Sequence, residues 1–173
     1  RPQMGSVRPN VFKKPERIAD SWGRIQLEQF DLKAEDIRTK RLDFIPFSKS
    51  GYNIQEADII VAGGRGMGSK ENFDKLYELA DAIGGVVGST RPLVEKGWIE
   101  LPYQVGQTGK TVSPKLYLAF GISGAIQHVS GISGADTIVA INNDPKAEIF
   151  QHANYGIVGD CMEVLNDMLA HLK

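Results

Sequence analysis

The feature that most constrains the fold of this chain is a series of short, continuous apolar segments that begins near residue 58. Each segment is rich in Ile, Val, Leu or Ala, which is typical of strands that are buried on both faces of a sheet. Five strands are therefore predicted, at Asp58–Ala62, Gly85–Ser89, Leu116–Gly121, Thr137–Ile141 and Gly156–Val158.

Helical patterns lie between these predicted strands. In Glu71–Ile83 the apolar residues recur at three- and four-residue spacing, which predicts an amphipathic helix. Residues 124–130 are predicted to form a short helix, and residues 161–172 a longer amphipathic one. Buried strands that alternate with helices predict an α/β fold, in which a doubly wound parallel sheet is covered on both faces.

The first 52 residues have a different character. Residues 1–20 are rich in proline and basic residues and predict a loop, whereas the alternation in 24–31 predicts a half-buried strand. A second strand is predicted at 41–47, where Pro46 restricts it to an edge or an end. We therefore divide the chain into a β-rich lead-in, 1–52, and a globular domain, 53–173.

Composition argues against several classes of function. The net charge is −1, although residues 1–50 carry 11 Lys/Arg and 7 Asp/Glu, so nothing favours a nucleic-acid partner. No apolar run has membrane-spanning length. The single cysteine, Cys161, rules out an intramolecular disulfide and a zinc site made of several cysteines. The three histidines are too scattered to indicate a metal site, and no hydrolytic triad or catalytic carboxylate pair is evident.

Candidate binding residues follow the predicted strands, because parallel α/β sheets bind ligands at the carboxyl ends of their strands. The first such loop, residues 63–70, is rich in glycine and suits a phosphate. It is not a P-loop, because Lys70 is one residue too far from Gly68, and Ser69 stands where a dinucleotide fingerprint has its third glycine. A tight turn with Ser69 as the helix N-cap is the alternative.

The next candidates allow two interpretations each. Arg91 follows the second strand and suits either an anionic ligand or a surface ion pair, and residues 104–110 form a polar, glycine-containing loop. The third strand runs into a Gly-Ile-Ser-Gly junction at 121–124, where a pyrophosphate can approach the backbone. After the later strands, Asn142 and Asp160 are ligand groups or turn and N-cap residues.

Several motifs resemble the alpha subunit of electron transfer flavoproteins. They are Leu-Tyr-Leu-Ala-Phe-Gly-Ile-Ser-Gly-Ala-Ile-Gln-His at 116–128, Thr-Ile-Val-Ala-Ile-Asn at 137–142, Val-Gly-Gln-Thr-Gly-Lys at 105–110, Gly-Gly-Arg-Gly at 63–66 and Tyr-Gly-Ile-Val at 155–158. The resemblance covers about residues 55–173. It implies a Rossmann-like, DHS-like FAD-binding domain. It also implies that 1–52 is the tail of the family's first domain with its linker, so that the chain is a fragment of the subunit.

The same resemblance implies FAD as the cofactor and a set of residues that contact it. Arg91 would lie over the isoalloxazine face, the Thr108 hydroxyl would reach N5, and backbone N–H groups of 123–125 would meet the pyrophosphate. Arg91 would set the redox potential, since positive charge near N1 and O2 favours reduction, and His128 would act in the same direction to an extent that depends on its protonation state. The full set is Arg65, Thr90, Arg91, Val105, Gly106, Gln107, Thr108, Ser123, Gly124, Ala125, Ile126, Gln127, His128, Asn142, Asp160 and Cys161.

The function implied is that of an electron carrier rather than of a substrate-converting enzyme, and the sequence leaves open whether it belongs to a simple relay or to an electron-bifurcating complex. Electrons would pass from flavin dehydrogenases of the acyl-CoA dehydrogenase type to a quinone reductase or another acceptor, and an electron transfer flavoprotein beta subunit would be the partner. Nucleic-acid binding and membrane insertion are not expected. The compartment would be the cytoplasm in a bacterium or archaeon and the mitochondrial matrix in a eukaryote. The alternative is a non-redox nucleotide-binding module, like the middle domain of thiamine-dependent decarboxylases.

Overall fold

The computed structural model of the chain describes residues 3–7, 15–19, 22–43 and 53–172. Its centre is a five-stranded, all-parallel sheet with strand order β2-β1-β3-β4-β5. The strands are β1 Ile59–Gly63, β2 Val86–Ser89, β3 Leu116–Phe120, β4 Thr137–Asn142 and β5 Tyr155–Val158. The predicted α/β class and all five predicted strands are confirmed, with boundaries shifted by one residue at most ends.

Three of the four α-helices lie where the sequence predicts them, and the one at Arg91–Glu95 was not predicted. The α-helices are α1 Lys70–Ile83, α2 Arg91–Glu95, α3 Ile126–Val129 and α4 Cys161–His171. Short 3-10 helices are present at Ala34–Asp36, Ile54–Glu56, Arg65–Met67, Leu101–Tyr103 and Glu148–Gln151. No helix in the described part of the chain has the length and apolar character needed to cross a bilayer.

Both faces of the sheet are packed. On one face, Val61 and Leu118 lie in a cluster with side chains of α1 and α4, including Phe73 and Leu165. On the other face, the neighbouring strand residues pack against α3, the 3-10 helix Glu148–Gln151 and the loop around Val112. Because successive side chains of a strand point to opposite faces, the continuous apolar runs supply both clusters at once.

Helix α1 shows how the local sequence sets the position of the first loop. Ser69 is its N-cap, and its Oγ accepts a hydrogen bond from Asn72 N at 3.3 Å. The buried side chains of Phe73 and Leu76 then hold the helix against β1. Burial of each such side chain contributes about 1.5–3 kcal/mol, so α1 fixes the direction in which the chain leaves the sheet.

In the described part of the lead-in, the residues of the predicted strands do not form strands. Residues 24–31 contain no strand, and Ile25, Leu27 and Phe30 are each at least 80% exposed. Arg41–Asp43 are also without regular structure, and residues 44–47 of the second predicted strand lie outside the described residues. An alternating pattern defines a face but supplies no neighbouring strand, and a strand needs a hydrogen-bonded neighbour.

The strand order creates a crevice at the carboxyl ends of β1 and β3. These two strands are neighbours in the sheet, but the chain leaves β1 towards α1 on one face and leaves β3 towards α3 on the other. This divergence is the switch point at which open α/β sheets bind ligands. The glycine-rich loops after β1 and β3 therefore both border the crevice.

Candidate cofactor-binding site

A cavity of about 720 Å³ lies at the carboxyl ends of the strands. That size is typical of small-molecule sites. Its lining comes from the loops after β1, β2 and β3, from the loop before Val112, and from the end of β4. The lining residues are Gly64, Arg65, Gly66, Thr90, Arg91, Pro92, Gln104, Val105, Gly106, Thr108, Gly121, Ile122, Ser123, Gly124, Ala125, Gln127, His128 and Asn142.

The loops after β1 and β3 interlock through their backbones. Gly64 N donates to Phe120 O and Gly66 N donates to Gly121 O, each at 2.9 Å. A Cβ atom placed on Gly66 would lie 2.6 Å from Gly121 Cα, which no side chain can accommodate without a shift of the backbone. The contact between the two loops thus requires glycine at position 66.

A run of unpaired backbone donors follows β3. Within the described part of the chain, the N–H groups of residues 123–127 donate to no protein acceptor, whereas Ser123 O accepts from Ile149 N at 3.0 Å. Ser123, Gly124 and Ala125 line the cavity. Consecutive unpaired N–H groups beside a cavity favour an anion, so this segment suits a phosphate group.

The loop at 104–110 closes the opposite side of the cavity. Val105 N donates to Ser89 O at 2.9 Å, and Gln107 N donates to Gln127 O at 2.6 Å, so the loop joins the end of β2 to α3. Gly106 has a φ of 137°, and a Cβ there would lie 2.6 Å from Gln127 O. Only glycine can adopt that backbone conformation and make that close contact. Gly106 is therefore needed for the loop to pack against α3.

His128 is buried beneath this loop with both ring nitrogens paired. Nδ1 lies 3.0 Å from Val105 O and Nε2 lies 3.0 Å from the Tyr117 hydroxyl. Because a carbonyl oxygen only accepts, Nδ1 carries the proton, and Nε2 accepts from the hydroxyl. Burial lowers the pKa of His128 to about 4, although the bond to Val105 O acts in the opposite direction. His128 is therefore neutral at pH 7.

Two arginines provide positive charge at the rim. Arg91 Nε donates to Glu95 Oε1 at 2.7 Å within α2, and both side chains are more than half exposed. Arg65 forms no ion pair with any residue that the structure describes. Among the described residues no group of three His, Cys, Asp or Glu side chains is placed to hold a metal ion. The site therefore offers two rim cations, a backbone anion site and an apolar floor.

Comparison with known proteins identifies this arrangement. Residues 53–133 match the family model described as the electron transfer flavoprotein FAD-binding domain. Over 173 residues the chain is 51% identical to the electron transfer flavoprotein alpha subunit of Thermoanaerobacterium thermosaccharolyticum, covering 100% of this chain and 52% of that protein. Protein FixB of Clostridium saccharobutylicum is 53% identical over 175 residues, with 100% and 52% covered. The alpha subunit of Megasphaera elsdenii is 52% identical over 167 residues, with 95% and 49% covered.

This chain belongs to the electron transfer flavoprotein alpha-subunit family. It spans about half the length of the curated relatives it matches. The cofactor of its domain family is FAD, as the resemblance implied. The matches give no support to the alternative of a non-redox module like that of thiamine-dependent decarboxylases.

Most of the residues that the family resemblance implied are gathered in the cavity lining. The exceptions are Gln107, Ile126, Asp160 and Cys161. Asp160 caps α4, and its Oδ1 accepts from Met162 N at 2.7 Å. Cys161 is 6% exposed, with Sγ 3.4 Å from Gly66 O behind the β1 loop. Their contacts to FAD remain predictions.

Asn142 lies in the lining but has structural contacts as well. Its Nδ2 donates to Ile122 O at 2.9 Å, and its Oδ1 accepts from Asp144 N at 2.9 Å. The amide therefore ties the turn after β4 to the loop after β3, and it has one N–H remaining for a ligand. Both interpretations of Asn142, as a turn residue and as a ligand group, are compatible with this geometry.

Sequence reasoning left out one polar side chain of the lining. Gln104 is 4% exposed and lies directly before the Val-Gly-Gln-Thr-Gly-Lys motif. The parallel bridge between Ser89 and Gln104 brings it to the carboxyl end of β2. No local pattern distinguishes Gln104, which faces inward, from Gln107, which is exposed, so the sequence offered no signal for this residue.

A second cavity, of about 810 Å³, lies along the outer edge of β2. Its lining is aromatic, with Tyr77, Trp98 and Tyr103 around the end of α1. It includes none of the loops that follow β1 and β3, so it has neither the unpaired N–H groups nor the interlocked glycines of the first cavity.

Proposed function

We propose that this chain holds FAD in the cavity at the carboxyl ends of the sheet and serves as the electron-relay domain of an electron transfer flavoprotein. The run of unpaired N–H groups at residues 123–127 carries this proposal. FAD contains a pyrophosphate, and consecutive unpaired backbone donors are suited to bind it. Bound FAD would supply one- and two-electron transfer, and the protein supplies orientation and electrostatics.

The remaining lining divides between the two ends of the dinucleotide. Arg65 lies beside the interlocked loops and would balance phosphate charge. The isoalloxazine would lie between the α2 end, with Thr90 and Arg91, and the loop that carries Val105 and Thr108. Arg91 has its Nη groups available for the ring, because Glu95 takes Nε. Asn142, with Asp160 beyond it, would approach the ribose or adenine end.

The named relatives support a proposal about the whole protein's partners. Because these relatives are alpha subunits and FixB proteins, we propose that an electron transfer flavoprotein beta subunit pairs with the protein to which this chain corresponds. Residues 1–52 would be the tail of a first domain with its linker, and the exposed Ile25, Leu27 and Phe30 would be covered by the rest of that domain. Flavin dehydrogenases would be the donors and a quinone reductase or similar protein the acceptor. The relatives are bacterial, which favours the cytoplasm as the compartment.

The test of FAD binding is chemical identification of the bound group. The chain is reconstituted with a mixture of FAD and FMN, washed, and denatured in acid, and the released flavin is separated by chromatography. We expect FAD alone, because the N–H groups at 123–127 select a pyrophosphate and the adenosine has its own contacts. Recovery of FMN, or of no flavin at all, would contradict the proposal.

The test of the relay function compares the chain with the complete heterodimer. Both are loaded with FAD and mixed with a reduced flavin dehydrogenase, and the bleaching of FAD absorbance is followed. We expect rapid reduction only in the heterodimer, because the missing half and the beta subunit would dock the donor. Equal rates would show that docking depends on this domain alone.

A further inference from the structure

Gln104 is held rigidly by its backbone at the base of the loop that closes the cavity. Gln104 N donates to Leu101 O at 3.0 Å, and Gln104 O accepts from Lys110 N at 2.7 Å. The parallel bridge to Ser89 fixes the same residue to the end of β2. The position of its Cα therefore does not depend on its side chain.

The side chain of Gln104 determines what the Thr108 hydroxyl can do. Gln104 Nε2 donates to Thr108 Oγ1 at 2.9 Å, and both residues line the cavity. A hydroxyl has one proton to donate and two lone pairs that accept. Since one lone pair is taken by Gln104, the proton points away from the amide. No described residue of the chain accepts it, so the proton is available to an acceptor in the cavity that Thr108 lines.

We propose that Gln104 is a positioning residue that fixes the Thr108 hydroxyl as a hydrogen-bond donor into the cofactor cavity. The proposal rests on FAD binding in that cavity. The edge of an isoalloxazine ring presents nitrogen and carbonyl oxygen acceptors, which need a donor opposite them. Thr108 stands on a turn between two glycines, Gly106 and Gly109, so without Gln104 its hydroxyl is free to rotate.

The reduced ring carries more negative charge than the oxidised ring, so a donor fixed at its edge favours the reduced form. Loss of one such bond is expected to weaken FAD binding about threefold to tenfold. If reduced FAD loses about tenfold more affinity than oxidised FAD, the two-electron midpoint potential falls by ~30 mV.

The experiment uses two substitutions that remove the donor in different ways. Gln104→Leu leaves the hydroxyl without a partner, whereas Gln104→Glu supplies a carboxylate, which only accepts and therefore turns the Thr108 proton away from the cavity. Dissociation constants for FAD and midpoint potentials are measured on the FAD-loaded chain. Thermal unfolding without FAD checks that each variant is folded. If one variant does not fold, the other still tests the proposal. We expect both to bind more weakly and to have lower potentials.

A double-mutant cycle separates positioning from a general structural role. In a Thr108→Val background, Gln104→Leu should have no further effect on affinity or potential, because the group it positions is gone. Gln55→Leu is the matched control: Gln55 Nε2 donates to Thr111 O at 3.3 Å in the adjoining segment, but Gln55 does not line the cavity. This control should match the wild type.

Three outcomes overturn the proposal. They are a Gln104→Leu variant that does not differ from the wild type, an effect that persists undiminished in the Thr108→Val background, and a Gln55→Leu variant that reproduces the effect. Failure of the wild-type chain to bind FAD would instead defeat the proposed function, and this inference with it. If the wild-type chain binds FAD and Gln104→Leu has no effect, the inference is wrong but the proposed function still stands.

Discussion

The two walls of the cofactor cavity are built from different parts of the chain. The wall formed by the loops after β1 and β3 is mainly backbone: its glycines are in contact, its carbonyls are paired, and the N–H groups of residues 123–127 have no acceptor among the described residues. The wall formed by α2, α3 and the 104–110 loop presents side chains, among them Arg91, Thr108 and His128. A phosphate needs only a fixed set of donors, whereas a redox ring is tuned by charges and hydrogen bonds.

This difference predicts how each wall responds to mutation. Apart from proline, which has no backbone N–H, no substitution removes a backbone donor, so the first wall is otherwise vulnerable only to changes in shape. The second wall keeps its shape when a side chain is exchanged, and there a substitution changes electrostatics. Mutations in the first wall should therefore change the free energy of unfolding and the affinity for FAD. Mutations in the second wall should change the pH dependence of stability and the midpoint potential of the flavin.

The largest effect is expected from Gly66→Ala in the backbone wall. Its Cβ would lie 2.6 Å from Gly121 Cα, so one loop must move and the bond from Gly66 N to Gly121 O is strained. We expect a loss of about 3 kcal/mol in the free energy of unfolding, with at least tenfold weaker FAD binding. Urea titration and FAD titration measure the two effects.

Gly159→Ala is the matched control for that variant. A Cβ on Gly159 would meet nothing within 4 Å, although this residue also lies beyond a strand of the same sheet. Its unfolding free energy should stay within about 0.5 kcal/mol of the wild type. If Gly66→Ala were as stable as Gly159→Ala, the two loops would not be in the contact described above.

An effect of intermediate size is expected from His128→Gln. The pKa of His128 is about 4 in the folded chain against 6.5 for the free side chain, so the unfolded chain binds a proton that the folded chain does not. Wild-type stability is then complete above about pH 6.5 and falls as the pH decreases towards 4, by about 2 kcal/mol at pH 5. Glutamine does not titrate, so His128→Gln should lose correspondingly less stability between pH 8 and pH 5.

The comparison variant for this titration is His152→Gln, since His152 is an exposed histidine outside the cavity lining. Unfolding free energies at pH 8 and pH 5 are compared among the three proteins. We expect His152→Gln to follow the wild type. If His128→Gln lost as much unfolding free energy between pH 8 and pH 5 as the wild type does, His128 would not be buried as a neutral ring.

The backbone wall was largely predictable from the sequence, and the side-chain wall only in part. Apolar runs identify buried strands, and parallel strands place their carboxyl ends together, which is why the loops at 63–66 and 121–125 were recognised as candidates. The Tyr117–His128 bond joins a strand to the following helix and requires tertiary structure. For the same reason, the sequence left the protonation state of His128 open, and burial determines it.

The lead-in shows the limit of pattern reasoning most clearly. Residues 24–31 alternate as a strand does, yet Leu27 is 90% exposed and no described residue pairs with this segment. By contrast, β5 at Tyr155–Val158 forms with every residue exposed, because β4 provides a ladder of hydrogen bonds. The presence of a neighbouring strand, which no local pattern encodes, decided between the two segments.

The smallest effect is expected at Arg91, where the side-chain wall meets solvent. If the Nη groups of Arg91 face the ring, Arg91→Ala removes positive charge and lowers the midpoint potential, since reduction adds negative charge to the flavin. Both Arg91 and Glu95 are more than half exposed, so solvent screens the charge. We expect a decrease of about 30–60 mV, where 59 mV corresponds to a tenfold change in a one-electron equilibrium. Spectroelectrochemical titration of FAD-loaded variants measures it.

Two further substitutions determine whether charge or geometry is responsible. Arg91→Lys keeps the charge but lacks the planar fork, so it should retain part of the wild-type potential. Glu95→Gln removes the carboxylate that takes Arg91 Nε and a negative charge near the ring, so it should raise the potential by less than Arg91→Ala lowers it. If the two walls differ as described, these three variants change the midpoint potential but leave the free energy of unfolding close to that of the wild type. If Arg91→Ala binds FAD normally and its potential equals that of the wild type, the Arg91–Glu95 pair is a surface ion pair with no part in tuning the flavin, and the side-chain wall ends at Thr108 and His128.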